Sequence, residues 1–345
     1  MTRSAAIIIP ALNCAATIGK TIDSALAQDW DGELEVLVID NGSSDDTREL
    51  AAARSVTVVS ELRRGRSIAR NTGAARSAGQ ILAFMDADCE VPTRWLRDAA
   101  ELLEQVPWVG AVQARIRKRD DVLPAEDSIH ARWYLPFLDT CALVTTRRNF
   151  ANARGFDEML PRNVDMDFSF RLLACGYALG LLPDAVAIKH HDLNVRDVLR
   201  RGWDGGTSVA QVDKKWRHLV PRTPTRLLGA LQAWAQRLTK ARTSPHPGLE
   251  AIEQSAQLLG YGAGVLTRVH RTEYEPLTPL AKILGGARSL AVTPSGGFIY
   301  DRRVNARLCL TRAELGALEE LAGGHYFSRH GVEDRDRVRL NEALS

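Results

Sequence analysis

The chain has 345 residues, 45% of them hydrophobic and 25% charged, which is the composition of a globular protein with material for a large core and excludes a disordered chain. Its 45 Lys and Arg are nearly balanced by 42 Asp and Glu, leaving +3 without any long block of one sign, so a nucleic-acid binder built on a basic surface is excluded. Five scattered cysteines with no C-x-x-C pair exclude a zinc ribbon and argue against a disulfide framework.

A reducing, cytoplasmic setting is therefore expected. The first apolar run ends at Pro10, too early for a secretory signal, and no apolar stretch approaches the ~20 residues that span a bilayer. From there the first half alternates short apolar runs with helical patterns, the signature of an α/β sheet with parallel strands. Strands are predicted at 5–10, 34–40, 56–60, 80–85, 109–115 and 142–145. Helices are predicted at 17–28, 43–54, 67–77, 92–105 and 165–175, the last ended by Gly176, with an extended segment at 178–190.

Beyond residue 195 the character becomes mostly helical, with candidates at 195–215, 226–239 and 249–270 punctuated by Pro- and Gly-bearing stretches. The Gly202, Gly205 and Gly206 cluster suits either a loop closing on substrate or a break in a helix. A last unit starts near Arg288, with Gly296-Gly297 as a hairpin turn and a helix at 311–321. The chain divides into three expected parts: residues 1–194 as an α/β domain, 195–287 as a helical extension and 288–345 as a small α+β unit.

Ligands of a parallel sheet collect beyond the carboxyl ends of its strands. Asp40 ends one predicted strand and opens Asp40-Asn-Gly-Ser-Ser-Asp-Asp-Thr47; Asp86 ends another and opens Asp86-Ala-Asp88. Two carboxylates on one turn repel unless something cationic lies near them, and a divalent ion with oxygen ligands would serve and would also neutralise a diphosphate. Each residue also has a plainer reading: Asp40 suits a tight turn, and Asp165 suits the first turn of a helix, where it answers the dipole.

The first half, over roughly residues 5–210, resembles family 2 glycosyltransferases of the GT-A fold. The stretches that carry the likeness are Ile7-Ile-Ile-Pro-Ala-Leu-Asn13, Val38-Ile-Asp-Asn-Gly-Ser-Ser-Asp-Asp-Thr47, Gly65-Arg-Ser-Ile-Ala-Arg-Asn-Thr-Gly73, Ile81-Leu-Ala-Phe-Met-Asp-Ala-Asp88, Gly155-Phe-Asp-Glu158 and Asp165-Met-Asp-Phe-Ser-Phe-Arg-Leu172. The resemblance implies a Rossmann-like, mixed, mostly parallel sheet flanked by helices. It implies that Asp40 reads the nucleotide base and that Pro10, Ala11 and Asn13 line the nucleoside with Arg70 and Asn71 beside them. Asp86 is similar to the residue contacting ribose or metal, and Asp88 to the metal ligand, with Mn2+ or Mg2+ as cofactor. His190 or His191 resembles the histidine that closes the site behind the diphosphate and is counted with the metal residues. Asp165 stands where the family places its catalytic base.

Departures accompany the likeness. Asn41 replaces the usual second aspartate after Asp40, Val164 replaces the glutamate before the catalytic aspartate, and Asp139-Thr-Cys141 replaces a glycine-rich acceptor loop. Gln211-Val-Asp-Lys-Lys-Trp216 has the wrong spacing for the Gln-x-x-Arg-Trp of membrane polysaccharide synthases, so a processive synthase is rejected. The reaction implied is single displacement with inversion: Asp165 takes a proton from the acceptor as it attacks C1 of a nucleotide-diphosphate sugar, with uridine diphosphate the family default. The acceptor is a peptide, glycan or small molecule, chosen by the residues beyond 195. A homodimer and peripheral membrane contact through 226–239 stay open.

The loop after the first strand disfavours rival functions. A nucleotidyltransferase would resemble a glycine-rich phosphate loop there and a dehydrogenase would show Gly-x-Gly-x-x-Gly; residues 10–16 hold no glycine. The alternative from another class is a non-catalytic sugar- or peptide-binding module on a degenerate glycosyltransferase scaffold, against which stands the presence of Asp40, Asp86, Asp88 and Asp165.

Overall fold

A run of apolar residues without polar alternation belongs in a strand covered on both faces. Residues 5–9 behave so: β1 (Ser4–Ala11) is fully buried from Ala5 to Ile9 and lies inside the sheet, paired on both edges with parallel strands. In a computed structural model of the chain, the described residues are 3–118, 130–132, 135–190, 195–216, 234–235, 238, 247–266, 288–294, 296–301 and 306–321.

After β1 come α1 (Ile18–Leu26), β2 (Glu33–Asp40), α2 (Thr47–Ala52), β3 (Thr57–Ser60), α3 (Arg66–Arg76), β4 (Ile81–Met85), β5 (Cys89–Glu90) and α4 (Trp95–Gln105). Next are β6 (Val109–Lys118), the small pair β7 (His130–Arg132) and β8 (Leu135–Phe137), β9 (Ala142–Thr146), α5 (Arg147–Asn152), α6 (Val164–Ala174) and β10 (Ala178–Lys189). The remainder is α7 (Val195–Lys215), α8 (Pro247–Leu266), β11 (Arg288–Thr293), β12 (Gly296–Asp301), β13 (Ala306–Thr311) and α9 (Arg312–Leu321).

The main sheet runs β3-β2-β1-β4-β9-β6-β10-β11-β12-β13, with β5 added to β10. Strands β3, β2, β1 and β4 are parallel, as are β6, β10 and β11; β9 is inserted antiparallel between β4 and β6. This is the mixed, mostly parallel sheet expected for 1–194. The terminal unit is built on its edge, because β11 pairs with β10 at Leu179↔Ala291 and Gly180↔Val292.

Successive strand residues point to opposite faces, and the core divides accordingly. Ala5, Ile7 and Ile9 pack with Ile18 and Ile22 of α1 and with Trp95, Leu96 and Leu103 of α4. Ala6 and Ile8 pack with Ala69 of α3, Phe168 and Phe170 of α6, and Val212 and Trp216 at the end of α7. At ~25 cal/mol per Å2 of apolar surface, such double-sided burial is the main stabilising term of the sheet.

Three expectations change. Residues 43–46 are not helical: Ser43 and Asp45 spend their groups on the β1–α1 loop, so α2 starts only at Thr47. Gly202, Gly205 and Gly206 neither form a loop nor break a helix; they lie within α7, where a Cβ on Gly202 or Gly206 would run into the Glu253 and Gln257 carbonyls of α8. Gly296-Gly297 is not the hairpin turn but the start of β12, paired with Thr293 and Val292, and β13 is an added third strand. The helix expected at 226–239 lies almost wholly outside the described residues, and among the described residues no helix is long and apolar enough to cross a membrane.

Candidate active site

The loops after β1 and β2 are laced together by short polar side chains. Asn13 takes a left-handed backbone, φ 52°, which asparagine tolerates better than most residues. Its amide N donates to Ser43 Oγ at 3.1 Å, and its side-chain oxygen accepts from Ser44 N at 2.8 Å. Cys14 N donates to Thr47 Oγ1 and Ala15 N to Asp45 Oδ2. Asp40, buried, accepts from Ser43 N at 3.0 Å, while the Ala11 carbonyl accepts from Asn41 N. Pro10, Ala11, Asn13 and Asp40 therefore meet along one rim.

Asn41 shows why an amide replaces a carboxylate. Its Nδ2 donates to the Glu61 and Arg63 carbonyls at 2.8 and 2.7 Å, and its Oδ1 accepts from Gly65 N at 2.8 Å. An ionised aspartate could make only the last of these bonds. Asn41 thus holds the loop that leads into α3.

That helix delivers Arg70 and Asn71. Arg70 is almost fully buried and places Nη2 2.6 Å from Asp86 Oδ1. Asn71 points instead to the segment after α5, accepting from Phe156 N and donating to the Phe156 carbonyl and to Glu158. Gly155, at φ 63°, sits where a side chain would press on Asn71 Oδ1. Phe156 stacks among Phe84, Phe150 and Phe168 at centroid separations of 4.8–5.5 Å. The aromatic group therefore fixes β4, which ends at the acidic turn, against α6, whose first turn holds Asp165.

Asp86 has a cation on each oxygen: Arg70 on Oδ1, and Lys189 Nζ at 2.6 Å on Oδ2. Burial alone would raise its pKa, but Lys189, Arg70 and Arg66 outweigh it and hold the carboxyl far below the usual range. Lys189 also lies 3.5 Å from Asp88 Oδ1 and, against the penalty of burial, is held charged chiefly by Asp86. Ligand atoms of Asp86, Asp88 and Cys89 fall within 4.8 Å of one another. The Cys89 thiol leans on Asp88 Oδ1 and, despite a bond to Cys141 that favours ionisation, is pushed up by burial and the carboxylates. The donor set that remains is carboxylate oxygen, which suits a hard divalent ion.

His190 donates its backbone N to the Asp88 carbonyl at 2.7 Å, but its ring Nε2 pairs with Glu90 Oε1 and is not part of that group. His191 lies outside the described residues.

Asp165 occupies the first turn of α6, after Asn163 in a left-handed conformation. Its Oδ1 accepts from Met166 N at 2.9 Å. Burial, seconded by the charge of Asp139, raises its pKa to about 6, with Arg70 and Asp86 close enough to act on it. Val164, in place of a glutamate, is buried in the core beneath. Positioning comes from α7 instead: Asn163 donates to the Gly205 carbonyl and Arg162 N donates to Ser208 Oγ.

Several participants are not marked as site residues by the sequence. Lys189, Arg66, Arg162 and Asp139 surround the acidic groups; Arg162 is pushed down to about 10 by burial and by Arg66 and Arg201. Below them, buried Asp167 accepts from Arg171 Nε at 2.9 Å and from Trp216 Nε1 at 3.0 Å, and pairs with Lys215 Nζ at 2.8 Å. Lys215 and Trp216 end the Gln211–Trp216 stretch whose spacing differs from the synthase motif. They couple α7 to the helix that carries Asp165. A cleft of about 650 Å3 between α7 and α8 is lined by residues such as Leu199, Trp203, Ile252 and Leu259 and includes none of the acidic-site residues.

The chain is similar to several known proteins. Residues 6–171 match the family model described as glycosyl transferase family 2. Glycosyltransferase AglE of Haloferax volcanii is 39% identical over 97 residues, 26% of this chain and 32% of its own. Pre-mycofactocin glycosyltransferase of Mycobacterium tuberculosis is 26% identical over 258 residues, 67% of this chain and 52% of its own. The chain thus spans only a third to about half of the length of these relatives. Among solved structures, mannosyltransferase PcManGT from Pyrobaculum calidifontis in complex with GDP-Man and Mn2+ gives 22% identity and a TM-score of 0.49 over 76% of this chain and 74% of its own. Staphylococcus aureus TarS 1-349 in complex with UDP gives 14% identity and 0.48 over 80% and 95%.

Proposed function

We propose, from the match of residues 6–171 to the glycosyl transferase family 2 model, that the chain is a metal-dependent inverting glycosyltransferase using a nucleotide-diphosphate sugar, uridine diphosphate by default. The observation that carries the reading is the paired Asp86 and Asp88 just after β4, with Asp165 near enough to Asp86 to feel its charge and with a raised pKa that suits a base working near neutrality.

In this reading the rim of Pro10, Ala11, Asn13 and Asp40 receives the nucleoside, and Asp88 with Asp86 holds Mn2+ or Mg2+. A bound divalent ion supplies charge neutralisation for the departing diphosphate. The protein's own cations, Arg70, Lys189 and Arg66, are already gathered beside these carboxylates, close to where that charge develops. Asp165 accepts the proton of the acceptor nucleophile as it attacks C1 from the side opposite the diphosphate. No second carboxylate acts as a nucleophile, so the anomeric centre inverts.

The acceptor, a peptide, glycan or small molecule, approaches past Asp139 and Arg162, with the residues beyond 195 contributing to its choice. Thermal melts with a panel of nucleotides and sugar nucleotides, with and without manganese, test the reading. A ligand at 100 times its Kd adds about 2.7 kcal/mol of stability. One nucleoside diphosphate should stabilise the protein, and more so with manganese; a flat panel overturns the assignment.

A further inference from the structure

Two carboxylates two residues apart at a strand end need a positive charge nearby, and here the protein supplies it. Antiparallel pairing of β5 with β10 sets Lys189 opposite Cys89, and the His190 N bond to the Asp88 carbonyl fixes the end of β10 against the acidic turn. Lys189 Nζ consequently stands 2.6 Å from Asp86 Oδ2 and 3.5 Å from Asp88 Oδ1, with only 18% of its side chain exposed. The other oxygen of Asp86 belongs to Arg70.

A divalent ion bound between Asp86 and Asp88 would sit where this ammonium sits, because Mg2+-sized ions require oxygen at ~2.1 Å and like charges repel at such range. Charge balance points the same way. Among the groups in direct contact, Asp86 and Asp88 are matched by Arg70 and Lys189, so a divalent ion arriving alone adds two positive charges, with Arg66 close enough to oppose it further. One arriving with the diphosphate of a sugar nucleotide brings two negative charges that offset its own.

Resting on the assignment of Asp88 as a metal ligand, we propose that Lys189 is a resident counter-ion that competes with the divalent ion. Metal then loads together with the donor diphosphate, whose oxygens give the displaced ammonium a new partner. Lys189 is in this account the residue that couples metal affinity to nucleotide affinity.

The test is manganese binding to the full chain, read by electron paramagnetic resonance of free Mn2+ without donor or turnover. Nucleotide-free Lys189→Gln should bind Mn2+ at least tenfold more tightly than wild type, Lys189→Arg should match wild type, and Asp88→Ala added to Lys189→Gln should abolish the gain. In the wild type itself, UDP should tighten Mn2+ binding at least tenfold beyond the affinity of free UDP for the ion. Equal affinity in Lys189→Gln and wild type, a gain that survives Asp88→Ala, or independent binding of Mn2+ and UDP overturns the proposal. If the metal assignment itself fails, no variant binds Mn2+ with or without UDP; if only the role of Lys189 fails, Mn2+ binds through Asp88 and Lys189→Gln leaves its affinity unchanged.

Discussion

Replacing Asp165 with asparagine should make the protein more stable and nearly inactive, and the two effects have one cause. The carboxyl is moved from an ordinary 3.8 to about 6 by burial and by the charge of Asp139. At 1.36 kcal/mol per pH unit, its ionised form is disfavoured by about 3 kcal/mol in the folded state. Because the folded pKa lies above the unfolded one, the group favours folding most below about pH 4, and that contribution is lost as pH rises through about 6. At pH 8 the wild type carries the full penalty and the neutral amide does not. The Asp165→Asn variant should therefore gain roughly 1–3 kcal/mol over wild type at pH 8, about 1–4 °C in Tm for a chain of this length, and almost nothing at pH 4. Sugar transfer should fall by roughly 10²–10⁴-fold, the range for loss of a general base, with nucleotide affinity kept. Urea melts at the two pH values and turnover on one donor suffice. A stability difference independent of pH, or one of opposite sign, refutes the reasoning that the charge of Asp165 is desolvated.

Asp88→Ala should lose the manganese-dependent part of nucleotide binding while leaving the nucleoside rim intact, so calorimetry with UDP and Mn2+ should match UDP alone; an undiminished manganese effect moves the ligand elsewhere. Trp216→Phe removes the indole bond to buried Asp167; a bond to a charged group contributes about 1.5–3 kcal/mol, and the urea midpoint should drop accordingly. Since Trp216 braces the helix of Asp165, kcat should fall in Trp216→Phe with KM for the donor unchanged, whereas a wild-type kcat would dissociate α7 from the catalytic helix.

The strands and the acidic ends are legible in the sequence because unbroken apolar runs such as 5–9 and 81–85 admit only a doubly covered strand, and such strands gather ligands at their carboxyl ends. Asp86, Asp88, Asp40 and Asp165 can be named on that ground together with the family motifs. Lys189 cannot, because the end of an extended segment reads as solvent-facing until the two-residue β5 sets it opposite Cys89. Lys215 and Trp216 are hidden for a related reason: Asp167 lies 49 residues before Trp216, and only packing of α7 on α6 joins them. The glycines of α7 mislead because periodicity within one helix carries no information about the α8 backbone that lies against it. Asn41 looks like a weakened copy of an aspartate, and its reason emerges only from three backbone groups of the 61–65 loop.

The most direct measurement of the central claim is the stereochemistry of slow donor hydrolysis, with water standing in for the acceptor. Proton NMR of the protein with manganese and the sugar nucleotide that stabilises it should show nucleoside diphosphate and, as the first free sugar, the anomer opposite to that of the donor. Asp165→Asn should suppress both signals. A first-formed sugar of retained configuration, or no nucleoside diphosphate released from that donor, contradicts the account.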